Sequence, residues 1–312
     1  MLLKHLINPK PSIIFFFIIF CLFFAVSSLI FAELSLIFNH NYLNANIVFI
    51  LAIIIPILLS LGLNNIVYEN NIIRKENLVI GCVFILISCT FVKAVEVWAA
   101  TFLLLFIFNF LVKSYQKDLP FSQFYNASFL LGVLTFIFPN LIFLFLLLII
   151  SSINYSNFNW RILATVFLGV STPYFFYFVF VFLSDKKFTL FNGLDVAPDI
   201  SLTIHDVHLS KIIWFAVFLL IVIVAFFELF MWLYKKSIKS RRTFMTIIWF
   251  FIITVLIAIY SGYQYFYFSF LPLAIIIGNY FVYTKSRLIA NSLFFLLLAS
   301  SFYYRYMIVF NV

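Results

Sequence analysis

Apolar residues run along this chain in eleven long blocks, with the polar residues gathered in the gaps between them. The blocks fall at 13–37, 47–63, 78–92, 98–112, 122–138, 140–151, 162–183, 212–233, 244–260, 265–282 and 288–303. Within a block, Phe, Leu and Ile occupy every face of a helix, whereas a helix facing water keeps a polar stripe. Many blocks approach the ~20 residues that a helix needs to cross a ~30 Å hydrocarbon core. The pattern predicts an all-α fold, a polytopic transmembrane helical bundle forming a single integral membrane domain over 1–312. About nine blocks read as full spans. Residues 122–151 read instead as a hairpin of two short helices broken at Phe138-Pro139-Asn140.

Charge changes the picture mainly by fixing a topology. A net charge of +9 would suggest nucleic acid in a soluble domain, but only 9% of this chain is charged and no soluble domain is visible. With Lys4 and Lys10 placed in the cytoplasm, alternation also puts there Arg74, Lys75, Lys113, Lys117, Arg161, the 235–242 cluster, Lys285 and Arg287. That is 14 of the 19 basic residues, leaving Lys93, Lys186, Lys187, Lys211 and Arg305 outside. The positive-inside rule predicts such a split. It holds only if 122–151 leaves and re-enters on one side. The reading is a multi-pass membrane protein, N-terminus cytoplasmic and C-terminus outside, whose first partner is the lipid bilayer and not nucleic acid. The cluster Lys-Lys-Ser-Ile-Lys-Ser-Arg-Arg at 235–242 reads as a topology determinant, or as a site for anionic lipid. The first block exceeds the 7–15 residue core of a signal peptide and reads as retained. Trp98, Trp160, Trp214 and Trp232 fall near block ends, where the headgroup region favours amphipathic rings.

The polar residues that need a reason are few. The one long connection, 184–210, is placed on the outer face and holds Lys186, Lys187, Asp195, Asp199, His205, Asp206 and His208. Glu33 lies near the outer end of the first block, and Lys93 and Glu96 are three apart, close enough to pair on one helical face. Glu228 sits inside a block with no basic residue one turn away. An ionisable group within a span costs ~2.5–3.5 kcal/mol on insertion scales, so each should face protein or water. His205-x-x-His208 has ligand-like spacing but no third or fourth His or Cys nearby, so no metal and no cofactor are assigned. Cys21, Cys82 and Cys89 all lie in apolar blocks without a CxxC pattern and read as buried small hydrophobes.

A family resemblance rests on the ordered features Asn8-Pro9-Lys10-Pro11, Arg74-Lys75-Glu76-Asn77, Phe121, Asn126, Gly132, Pro139, Trp160-Arg161, Gly169 and Pro173. This order resembles an uncharacterised family of bacterial multi-pass inner-membrane proteins, a resemblance that carries no catalytic residues with it. At greater distance, the hairpin region is similar in style to glycosyltransferases that use polyprenyl-phosphate sugars, and to O-antigen polymerases and ligases. That likeness implies an outer-face carboxylate soon after the first span and a long outer loop late in the chain, where Glu33 and 184–210 stand. No paired acid follows the first span here, and arginines are scarce on the outer side.

Three functions compete. The first is a non-catalytic envelope assembly or scaffold component, whose partners are other membrane subunits. The second is an outer-leaflet enzyme using a lipid-linked sugar. It would take Glu33 or Glu96 as base, and Lys93, Lys186 and Lys187 as phosphate contacts for a polyprenyl-phosphate lipid. Asp195, Asp199 and His205 would then line the rim of a cavity shared by Glu33, Lys93 and Glu96. The third is a transporter, which the missing row of intramembrane acids and amides disfavours.

Overall fold

The computed structural model describes residues 2–31, 45–91, 95–184 and 209–310. Among them the regular elements are helices: α1 (Leu2–Leu6), α2 (Pro11–Phe31), α3 (Ala45–Glu69), α4 (Val79–Phe91), α5 (Val95–Lys113), α6 (Phe121–Ile137), α7 (Phe145–Asn154), α8 (Trp160–Leu183), α9 (Leu209–Leu233), α10 (Ile238–Ser261), α11 (Phe270–Tyr283) and α12 (Arg287–Phe310). Short 3₁₀ segments at Pro139–Leu144 and Tyr263–Ser269 lead into α7 and α11. Helices are what an apolar solvent imposes, since each backbone N–H and C=O must find its partner within the segment.

Among the described residues, seven stretches are long and apolar enough to cross a membrane: α3, α5, α8, α9, α10, α12 and Gln264–Tyr283. Shorter apolar stretches among the described residues are Pro11–Val26 within α2, Val79–Cys89, Phe121–Ile137 and Pro139–Asn154. The chain is thus a multi-pass helical membrane protein. The full-length candidates among the described residues number seven, and the pattern along the whole chain suggests about nine. One reason is visible in α4, whose 13 residues rise only about 20 Å.

The described residues divide into two compact units. The first comprises 1–98, 199–240 and 270–312. Its centre is α11, in which every residue from Phe270 to Val282 is buried. Small residues let the helices of this unit approach closely. A Cβ on Gly278 would stand 2.6 Å from Ile80 Cγ1 of α4, and one on Gly81 would stand 2.6 Å from the Ser60 carbonyl of α3. Two polar pairs join helices of this core. The Gly81 N–H donates to Asn64 Oδ1 at 2.9 Å, and Trp214 Nε1 donates to Ser301 Oγ at 3.0 Å.

Two of the four tryptophans expected at the headgroups are therefore core residues. Trp214 is buried beside Phe218, and Trp98 packs edge-on against Phe84 with ring centroids 6.3 Å apart. Trp160 is 78% exposed at the start of α8, as an anchor should be. The cysteines are buried as expected, with Cys21 Sγ 3.7 Å from Ser60 Oγ.

The second unit comprises 99–198 and 241–269 and is organised by the packing of α6 on α8. Gly132 faces the Val170 carbonyl and Pro173, while Gly169 faces Ser128 and the Tyr125 carbonyl. Tyr125 OH donates to Thr172 Oγ1 at 3.2 Å and Tyr174 OH to Thr135 Oγ1 at 2.7 Å, both along the same seam. The expected break between the short helices is present. Phe138 leaves the helical region (φ −128°, ψ 86°) because the Pro139 ring crowds it, and Pro139 then opens the 3₁₀ turn. Phe138 is buried against Phe268, with ring centroids at 5.2 Å.

Candidate functional site

Most of the polar residues singled out above, Glu33, Lys93, Lys186, Lys187, Asp195, Asp199, His205, Asp206 and His208, lie outside the described residues. Glu96 is described. It stands half-buried in the first turn of α5, where a carboxylate faces the positive end of the helix dipole. Among the described residues no group of three or more His, Cys, Asp or Glu could hold a metal ion.

The polar machinery that the structure does describe is gathered at one end of the first unit. There α9 ends at Leu233 and α10 begins at Ile238, so residues 234–237 form a tight turn carrying Lys235 and Lys236. The turn, the end of α11 and the segment after α3 enclose a cavity of about 410 Å³ lined by Arg74, Glu228, Trp232, Lys235, Lys236 and Asn279, among others. Lys236 is half-buried, and its ammonium donates to Asn279 Oδ1 at 2.7 Å. Burial disfavours the charged amine and lowers its pKa to about 8. Ser240 Oγ donates to the Ile72 carbonyl at 3.1 Å, which fastens the first turn of α10 to the segment after α3.

Aromatic faces hold the clustered ammoniums in place. Lys235 Nζ lies 4.2 Å and Lys285 Nζ 4.8 Å from the Trp232 ring centroid. Tyr283 takes Lys236 Nζ at 4.7 Å and Lys75 Nζ at 5.3 Å, and its hydroxyl accepts the Arg74 backbone N–H at 3.0 Å. Each such contact contributes about 0.5–1 kcal/mol where exposed and more where water is excluded. Glu228, the acid with no basic neighbour on its own helix, lines this cavity beside Trp232 and Asn279. The basic residues that line the cavity with it are supplied by other elements, which a one-dimensional spacing rule cannot see.

Beyond Tyr283 lies a second cavity, of about 830 Å³, lined by Lys4, His5, Lys10, Lys75 and Arg287 among others. The N-terminal arm is held there by backbone hydrogen bonds, Asn8 N–H to the Glu76 carbonyl and Leu78 N–H to the Leu6 carbonyl, each 2.9 Å. Thus the basic groups at 4–10, 74–75, 235–236 and 285–287, which the charge pattern assigns to one membrane side, also share one end of this unit.

The charge pattern places Arg305 on the outer side, just past the last apolar block. In the structure α12 continues to Phe310 and the arginine is buried within it. It is 7% exposed, close to Cys89 and Tyr304, and its Nε and Nη2 make no hydrogen bond among the described residues. A lone arginine at the end of an apolar block was the available signal. No protein-family model, curated protein or solved structure matches this chain.

Proposed function

We propose that this protein is a non-catalytic assembly or scaffold component of a bacterial inner membrane. The observation that supports this most is α11, the centre of the first unit, where thirteen consecutive residues from Phe270 to Val282 are buried in packed protein. A helix that lined a substrate path or a reaction chamber would present ionisable or amide groups to it. In α11 no side chain is a carboxylate, ammonium or guanidinium and the one amide is Asn279, at the basic end, where it accepts from Lys236. The reading includes the finer topology: N-terminus cytoplasmic, about nine crossings, and the helices on either side of Pro139 leaving and re-entering on one side. Gathering of the arm, the 74–75 segment, the 235–236 turn and the 285–287 turn at one end of a unit favours a common side for them. The likeness to an uncharacterised inner-membrane family belongs to the same reading.

The competing enzyme reading rests on Glu33 and Glu96. It is tested by incubating the purified full chain, in liposomes, with a labelled polyprenyl-phosphate sugar and a glycan acceptor. The expected result is no transfer. Transfer that disappears in Glu33→Gln or Glu96→Gln overturns the scaffold reading and puts the lipid-linked-sugar enzyme in its place.

A further inference from the structure

We infer that the cavity behind the N-terminal arm and an apolar groove continuous with it together form a binding site for one anionic phospholipid, its phosphate in the cavity and an acyl chain in the groove. This holds whether or not the chain is catalytic. The cavity is lined by four basic side chains, Lys4, Lys10, Lys75 and Arg287, and no acidic residue lines it among those described. Such a concentration of one charge, at about 830 Å³, suits a phosphate with its glycerol and is unfavourable when left empty of anions. It is also preformed. The arm is pinned to 76–78 by its two backbone hydrogen bonds, so Lys4 and Lys10 are presented beside Lys75 without further ordering.

The second observation is independent of charge. From this cavity a groove of about 350 Å³ runs between α2 and α12, and His5 and Ile13 line both spaces. Past them the walls are Phe16, Phe17, Phe20, Cys82 and Leu298, all apolar. On α2 the step from Ile13 to Phe20 rises roughly 10 Å, and on α12 the step from Arg287 to Leu298 rises roughly 16 Å. That is close to one leaflet, half of a ~30 Å core. A basic mouth opening into an apolar slot of leaflet depth matches a lipid, whereas a soluble phosphate would leave the slot unused. Charge complementarity selects an anionic headgroup over a zwitterionic one.

The test uses the full chain in detergent, titrated with phosphatidylglycerol and with phosphatidylcholine of the same acyl chains, and read by native mass spectrometry. Phosphatidylglycerol is expected to bind about tenfold tighter or better, as a few surface charges predict. The exposed pair Lys10→Gln with Arg287→Gln should abolish that preference, and Leu298→Trp, which fills the slot, should weaken phosphatidylglycerol binding at unchanged charge. Glycerol 3-phosphate, the headgroup without chains, should not displace the lipid. Equal binding of the two lipids overturns the inference, as does an unaltered preference in the charge variant. Displacement by glycerol 3-phosphate together with wild-type binding by Leu298→Trp overturns it in favour of a soluble phosphate. A thermal midpoint equal to wild type establishes that each variant is folded. Lys4→Gln with Lys75→Gln replaces any charge pair that is not.

Discussion

The Lys236 ammonium donates to Asn279 Oδ1 at 2.7 Å and sits 4.7 Å from the Tyr283 ring centroid, tying the α9–α10 turn to the end of α11. Burial lowers this amine from 10.5 to about 8. A base depressed on folding binds its proton less well in the native state than in the unfolded one. Between about 8 and 10.5 the unfolded chain therefore holds the extra proton, and stability rises with pH across that window. Below about 8 both states are protonated and the cost of the buried charge is present in full. Thermal midpoints measured through this window should rise in the wild type, and Lys236→Met should flatten the rise. A slope that survives the substitution assigns the titration to another group.

The α6–α8 seam should be intolerant of a single methyl group. A Cβ on Gly169 would meet Ser128 Oγ and stand 2.9 Å from the Tyr125 carbonyl. Gly169→Ala is expected to destabilise the protein by about 1–3 kcal/mol through overpacking. Adding Ser128→Ala should restore part of this, since the hydroxyl is removed while the Tyr125 carbonyl stays. A thermal-midpoint double-mutant cycle reads the coupling. Strict additivity would show that the two residues do not meet.

Ser301→Ala removes the acceptor of the buried Trp214 indole N–H, 3.0 Å away. Leaving that donor without its acceptor in the core should cost about 1 kcal/mol. Trp214→Phe should cost less in the Ser301→Ala background than in the wild type, because no orphaned donor remains. The measurement is the detergent unfolding midpoint of the four proteins. Equal losses in both backgrounds would remove the hydrogen bond from the energetics.

The side assignment is open to direct labelling. Cys21, Cys82 and Cys89 are buried, so a cysteine introduced at Ser237 or at Asn192 should be the reactive one. An impermeant maleimide added to intact cells is expected to modify Asn192→Cys and to reach Ser237→Cys only after the membrane is opened. Modification of both from the same side ends the proposed topology.

The sequence by itself determined the solvent and the element type. Blocks of Phe, Leu and Ile on all helical faces can satisfy their backbone only as helices in lipid, and the observed helices follow the eleven blocks closely. The break at Phe138-Pro139 was equally legible, because proline acts on its immediate neighbour. What a helix faces is a different matter. An all-apolar helix has no polar face to orient it, so nothing in the block 265–282 distinguishes the buried α11 from α8, most of whose residues are not buried. For the same reason Trp98 and Trp214 read as anchors though they are core, and Arg305 as a terminal cation though it is buried. The basic cavities were legible only as scattered charges. Lys4, Lys75, Lys236 and Arg287 lie far apart in sequence, and only helix packing around Tyr283 brings them to one end of a unit. Local chemistry is written along the chain, whereas the partner of a side chain in an apolar bundle is chosen by which small residues allow which helices to approach.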